Sequence, residues 1–240
     1  MQVDCYILST TAFDCIESEG LLKNLSQVER DRSVQMISRR RKEYLLTRVL
    51  LRYIVSTRLK QISINDVSVM DRDGLPPDVP QARENHLHLA ISHSHGRICI
   101  AASNQAAVGI DVEYLRGDRQ FADVAQNCFS PSENSLLTSA TTEVEMMRRY
   151  YLIWTRKEAW LKLHLMGIRS TSLQQIEFEN GIQEQAGSIV KSRYFDDYCL
   201  SVAAGTEPTV ICREVICKAS EGLSILFADS DADWSCSSKL

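Results

Sequence analysis

The chain has 240 residues, of which 44% are hydrophobic and 24% charged, enough apolar material for one domain or two small ones. Its formal net charge of −4 gives no overall field that would gather a nucleic acid, so any polyanionic ligand has to be met by a local cluster of cations. No apolar run approaches the roughly 20 residues that span a bilayer. The opening residues Met1 to Cys5 lack the basic start and apolar stretch of a secretory leader. Eight cysteines stand without paired short spacings, which fits reduced thiols and a cytoplasmic location.

Taken in chain order, a short strand is expected from Val3 to Leu8. A long helical region follows from about Ser26 to Lys60, with Val34, Ile37, Leu45, Val49 and Tyr53 at helical spacing. Adjacent prolines in Asp71 to Pro77 exclude helix and mark a turn. A strand runs from Leu87 to Ile91, Ser92-His93-Ser94-His95-Gly96 interrupts it, and Ile98 to Ser103 returns. Another strand covers Ala107 to Glu113. Ser130-Pro131-Ser132-Glu133 reads as a helix start, with serine at the N-cap, proline at the first helical position and glutamate completing a capping box. A second helical region spans about Glu143 to Leu165, and Ile176 to Phe178, Ser188 to Val190, Tyr198 to Ala203 and Thr209 to Cys212 read as strands. Residues 229–240 are polar and read as a loose tail. The pattern is α+β, divided into two α/β subdomains of similar size over residues 1–104 and 105–228.

Within Val108-Gly109-Ile110-Asp111-Val112-Glu113, strand alternation sets Asp111 and Glu113 on one face and Ile110 and Val112 on the other. Paired carboxylates repel, and a hard divalent cation resolves the repulsion. A strand whose polar face simply meets water is the competing account. On the helix, Glu158 and Lys162 are four residues apart and share a face, as a surface ion pair also would. Two tryptophans, Trp154 and Trp160, with Leu152 and Leu161, imply that this helix is largely buried, so its charges need partners or a ligand.

The segments G-I-D-V-E at 109–113 and W-T-R-K-E-A-W-L-K at 154–162 resemble the two signature motifs of the 4′-phosphopantetheinyl transferase superfamily. Phe129 to Glu133 is similar to the F-S-x-x-E element the family places between them. Upstream, Ser92-His93-Ser94 resembles its S-H-S segment and Gly74-Leu75-Pro76 its G-K-P turn, with leucine where the family often has lysine. Five elements in order over about residues 40 to 165 resemble the larger, monomeric, surfactin-synthetase-activator subclass. That resemblance implies two pseudo-twofold subdomains with the active site in the cleft between them. It implies a holo-[acyl-carrier-protein] synthase type of enzyme, which moves phosphopantetheine from coenzyme A to a serine of an apo acyl or peptidyl carrier protein, an acidic helical domain of fatty-acid, polyketide or non-ribosomal peptide synthesis.

Residue by residue, the resemblance implies that Asp111, Glu113 and Glu158 hold Mg2+ (Mn2+ being an alternative), and that Glu158 and Lys162 act in catalysis. It implies coenzyme contacts from Arg41, Arg48, Gly74, Pro76, Ser92, His93, Lys157 and Lys162. Arg41, Arg48 and Arg52 fall on one helical stripe, and Arg52 can pair with structure instead. His86, His88, His95 and His164 receive no role, and the carrier is expected to dock near Phe129 to Leu137. Two other classes use the same residues: a non-catalytic coenzyme A-binding or carrier-docking protein, and a metal-dependent phosphohydrolase.

Overall fold

The computed structural model describes residues 1–13, 23–73, 75–117, 121–166, 173–178, 182–183, 187–218 and 224–230. Strands are β1 (Gln2–Ser9), β2 (Met70–Arg72), β3 (Leu75–Asp78), β4 (His88–Ser94), β5 (Arg97–Ser103), β6 (Val108–Tyr114), β7 (Ile182–Gln183), β8 (Ser188–Phe195), β9 (Tyr198–Ala204), β10 (Thr209–Lys218) and β11 (Ser224–Ser230). Helices are α1 (Gln27–Val34), α2 (Ser38–Arg58), α3 (Pro80–Glu84), α4 (Phe121–Cys128), α5 (Pro131–Thr138) and α6 (Glu143–Leu163). They stack as four layers. Helix α2 covers one face of a five-stranded sheet of order β11-β10-β1-β5-β4 through Leu46, Leu50, Ile54, Ile98 and Ile100. The other face of that sheet packs through Val3, Cys5, Ala90 and Ala101 on Ile110, Val112, Leu200 and Val202 of a second sheet, order β6-β9-β8-β7. Helix α6 closes the far side.

The expected long helix over 26–60 is two helices. Ser26 caps the first through a capping box with Glu29. The Glu29 carboxylate also accepts from Arg52 at 2.7 Å and 3.0 Å, both side chains being buried. In one straight helix residues 29 and 52 would lie roughly 35 Å apart, so the break at residues 35–37 is what lets them pair. Removing one partner of such a buried pair typically costs about 3–5 kcal/mol.

The strand β4 continues through Ser92-His93-Ser94, which was expected to interrupt it, and pairs with β5 as far as Ser94 opposite Arg97. The turn is His95-Gly96, both at positive φ (45° and 85°), as a two-residue type I′ hairpin requires. Segment 176–178 is not a strand: the carbonyls of Leu173 and Ile176 are taken by the ammonium of Lys157 instead of a sheet neighbour. Strand β10, expected within the second subdomain, runs parallel to β1 in the first sheet. Asp4, fully buried on β1, accepts from Arg58 of α2 and, at 3.0 Å, from Arg213 of β10, so one desolvated carboxylate draws the returning chain onto the first sheet. The expected tail starts inside β11, and residues 231–240 lie outside the described residues.

Gly109 sets the approach of α6 to β6. A Cβ there would stand 1.9 Å from the carbonyl oxygen of Ala159 and 2.6 Å from the amide of Leu163, both backbone atoms. Neither can yield without moving the helix. A Gly109→Ala variant is expected to lose about 1–3 kcal/mol of stability or more by overpacking. Gly205→Ala, where a Cβ meets nothing within 4 Å, should leave the urea midpoint close to wild type. Equal midpoints for the two variants would show that the helix is not held at this contact.

Candidate active site

The edge of the second sheet is β6, whose outward amides need acceptors. Two serines on alternate positions of β4 supply them. Ser92 Oγ accepts the amide of Val112 at 3.3 Å and donates to Asp111 Oδ1 at 2.8 Å. Ser94 Oγ accepts the amide of Tyr114 at 3.2 Å and donates to Glu113 Oε2 at 2.8 Å. An amide left without a partner here would cost about 1–3 kcal/mol. The same oxygens that satisfy the strand edge therefore fix the two carboxylates.

Because Gly109 admits α6 so closely, Glu158 and Lys162, one turn apart, reach the same place. Lys162 Nζ donates to Asp111 Oδ1 at 2.7 Å and to Ser92 Oγ at 3.0 Å. Asp111 Oδ2 and Glu158 Oε1 are buried and have no hydrogen-bond partner among the described residues. Glu158 is pushed up to about 7, first by its burial and then by the charge of Asp111, with Lys162 opposing. A carboxylate poised there can hold or release a proton at neutral pH.

Two orphaned carboxylate oxygens beside a third carboxylate are a donor set that suits a hard divalent cation. Among the described residues no group of three His, Cys, Asp or Glu stands at metal-holding geometry. The charges of Asp111, Lys162 and Glu113 all act on Glu158, and Lys162 bonds both Asp111 and Ser92.

Lys157 is placed differently. It is wholly buried, its ammonium 2.7 Å from Glu133 Oε2 and 2.7 Å from the carbonyl of Leu173, so its bonds go to the protein itself. It clamps the start of α5 and the 173–176 segment onto α6, and Glu133 serves both this lysine and its own capping box.

On the other face of β4 lies a cavity of about 640 Å3 lined by Arg32, Arg39, Arg40, Arg48, Arg72 and His93, with Tyr44, Leu75 and Pro76. Arg48 is buried, pairs with Asp71 and stacks over the Tyr44 ring at 4.7 Å, while its Nε and Nη1 have no hydrogen-bond partner among the described residues. Asp71 also holds Arg32 at 3.0 Å and Tyr44 at 3.1 Å. His93 is half-exposed, 3.7 Å from Glu43. Arg41 does not line the cavity; Arg40 does, since 40, 44 and 48 share the stripe that turns toward it. Gly74 lies outside the described residues. Arg32, Arg39, Arg40, Arg72 and Asp71 had no assignment from sequence. Their only signal was charge, and charge runs normally mark solvated faces.

Residues 107–210 match a family model described as the 4′-phosphopantetheinyl transferase superfamily. The chain is similar to 4′-phosphopantetheinyl transferase HetI of Nostoc sp., 35% identical over 94 residues (39% of this chain). It is also similar to 4′-phosphopantetheinyl transferase AcpT of Escherichia coli, 29% over 123 residues (51% of this chain), and AcpT of Salmonella typhimurium, 29% over 129 residues (54% of this chain). The matched stretches span 38%, 57% and 63% of those relatives, about half their length. Among the described residues no helix is long and apolar enough to cross a membrane.

The raised Glu158 makes a prediction for metal-free protein. Its folded value of about 7 lies above its ordinary 4.5, so the folded state binds the extra proton between those pH values. The associated stability is complete below the unfolded value and is lost as pH rises through about 7. Glu158→Gln removes that component. Its urea midpoint should therefore gain on wild type from pH 4.5 to 7.5 in chelator, and a difference constant across that range would contradict the placement of Glu158.

Proposed function

We propose that the chain, which carries a 4′-phosphopantetheinyl transferase superfamily domain over residues 107–210, transfers the phosphopantetheine arm of coenzyme A to a serine of an acyl or peptidyl carrier protein. One observation carries this reading: Asp111, Glu113, Glu158 and Lys162 converge where the two sheets and α6 meet, with Asp111 Oδ2 and Glu158 Oε1 buried and without a hydrogen-bond partner among the described residues. A module that only bound coenzyme A would not need carboxylates held at the cost of desolvation.

In this reading Asp111, Glu113 and Glu158 would hold Mg2+, with Mn2+ an alternative. The ion, when bound, neutralises the pyrophosphate and stabilises charge on its oxygens. Glu158 takes the proton from the carrier serine hydroxyl as its oxygen attacks the coenzyme's β-phosphorus. The pyrophosphate bridge breaks, and adenosine 3′,5′-bisphosphate leaves with the electron pair. Lys162, held by Asp111 and Ser92, faces the charge that builds on the departing phosphate. The arginine cavity on the opposite face of β4 suits the coenzyme's 3′-phosphate, with Arg48, Arg40 and His93 contributing and Arg41 outside it. Leu75, exposed at the cavity rim, removes one cation that the resemblance led us to expect. Pro76 offers its surface there while its carbonyl accepts from Arg72 at 2.9 Å.

The finer parts of the reading have particular supports. Each sheet is backed by a 21-residue helix, α2 or α6, which favours a pseudo-twofold pair of subdomains with the site at their junction. Free thiols at Cys5, Cys99, Cys128 and Cys199 favour a reducing, cytoplasmic setting, and a monomeric enzyme of holo-[acyl-carrier-protein] synthase type is what the resemblance implies. Of the segment expected to dock the carrier, Phe129, Ser130 and Leu137 are buried and present no apolar surface to a partner.

Incubation of an apo carrier protein with the chain, coenzyme A and Mg2+ should add about 340 Da, the mass of the covalent arm, by mass spectrometry. Glu158→Gln should lower the rate by at least about 100-fold, the lower range for loss of a general base. Phosphopantetheine released without any carrier would instead indicate a phosphohydrolase. Tight coenzyme A binding with several carriers left unmodified would indicate a binding module.

A further inference from the structure

The two serines of β4 have matching bond inventories, and one of their partners, His95, has no role in the reading above. A hydroxyl has one proton to donate and two lone pairs to accept with. At Ser92 the proton goes to Asp111, and the lone pairs take the Val112 amide and Lys162 Nζ. At Ser94 the proton goes to Glu113 and one lone pair takes the Tyr114 amide. The remaining neighbour is His95 Nδ1, 3.2 Å from Ser94 Oγ. If Nδ1 lacked a proton, Ser94 would have to choose between donating to the ring and donating to Glu113.

We propose that His95 is a positioning residue for Glu113: its Nδ1–H donates to Ser94 Oγ and so commits the serine proton to the Glu113 carboxylate, as Lys162 does for Ser92 and Asp111. The ring is placed for this by its turn position and two contacts. His95 occupies the first position of the two-residue turn, at φ 45°, a region that histidine and asparagine tolerate better than most residues. Its carbonyl accepts from the hydroxyl of Tyr198 at 2.7 Å. Its ring stacks on Tyr114, the neighbour of Glu113, with centroids 5.1 Å apart. Groups in this outer layer orient the carboxylates that hold a cation, and their loss commonly weakens cation binding by about 10–100-fold. The inference rests on the metal reading proposed above and assigns a function to a histidine outside the motifs that carry the resemblance.

The test measures Mn2+ uptake in the presence of coenzyme A, by the electron paramagnetic resonance signal of free Mn2+, for the intact chain and for variants. His95→Phe keeps a ring against Tyr114 but has no N–H; His95→Asn keeps an N–H donor and tolerates the turn. His95→Phe should bind Mn2+ at least about tenfold more weakly, while His95→Asn stays within about threefold of wild type. Ser94→Ala should weaken binding as His95→Phe does, and the double variant should be no worse than Ser94→Ala alone, because both act through one oxygen. That comparison holds even where the phenylalanine strains the turn, and coenzyme A affinity in chelator reports whether each variant is folded. Wild-type Mn2+ affinity in His95→Phe, an asparagine variant as weak as the phenylalanine one, or losses that multiply in the double variant would each overturn the proposal. Wild-type protein that takes up no Mn2+ would overturn the metal reading first and this inference with it.

Discussion

The pairing of the β4 serines with the bare edge of β6 is the contact on which the rest of the molecule turns. Two sheets packed face to face are held by apolar area, which is strong but indifferent to register. Hydrogen bonds from the amides of Val112 and Tyr114 to the hydroxyl oxygens of Ser92 and Ser94 specify which residue stands opposite which. They also bring acidic side chains into a dry place with their orientation already set. A joint between two parts of the fold and the candidate site are thus built from the same atoms.

Charge on α6 is divided between two kinds of work. Lys157 and Glu133 neutralise each other inside the protein and consume two further carbonyls, so their desolvation is offset by bonds that tie α5 and the 173–176 segment to the helix. The next residue, Glu158, has no such settlement: burial raises it to about 7 and one oxygen has no hydrogen-bond partner among the described residues. Adjacent residues on a helix point about 100° apart. One therefore faces the α5 side and the other faces β6, and their opposite fates follow from that rotation.

Across β4, the cavity gathers several arginines in one place although the chain's net charge is −4. Asp71 gathers Arg32, Arg48 and Tyr44, which holds the cations in place against their mutual repulsion. Arg48 nevertheless retains donors without a hydrogen-bond partner among the described residues. Such preorganised, partly satisfied guanidinium groups are well matched to phosphate oxygens.

Much of this was legible in the residues alone. The α+β class, the Ser130 capping box and the shared face of Asp111 and Glu113 follow from period and capping chemistry, which are local properties. So does the i, i+4 relation of Glu158 to Lys162. The break between α1 and α2, the return of β10 to the first sheet and the burial of Lys157 were not legible. Each depends on a partner distant in sequence: Arg52 for Glu29, Asp4 for Arg213, and Glu133 for Lys157. Gly109 reads in sequence as a strand residue without a side chain, and only the helix laid against it shows why a methyl group is excluded. Sequence thus determined the chemical types and their local spacing. Tertiary structure decided which charges are spent on one another and which remain for a ligand, because desolvation and long-range pairing have no signature within a single element.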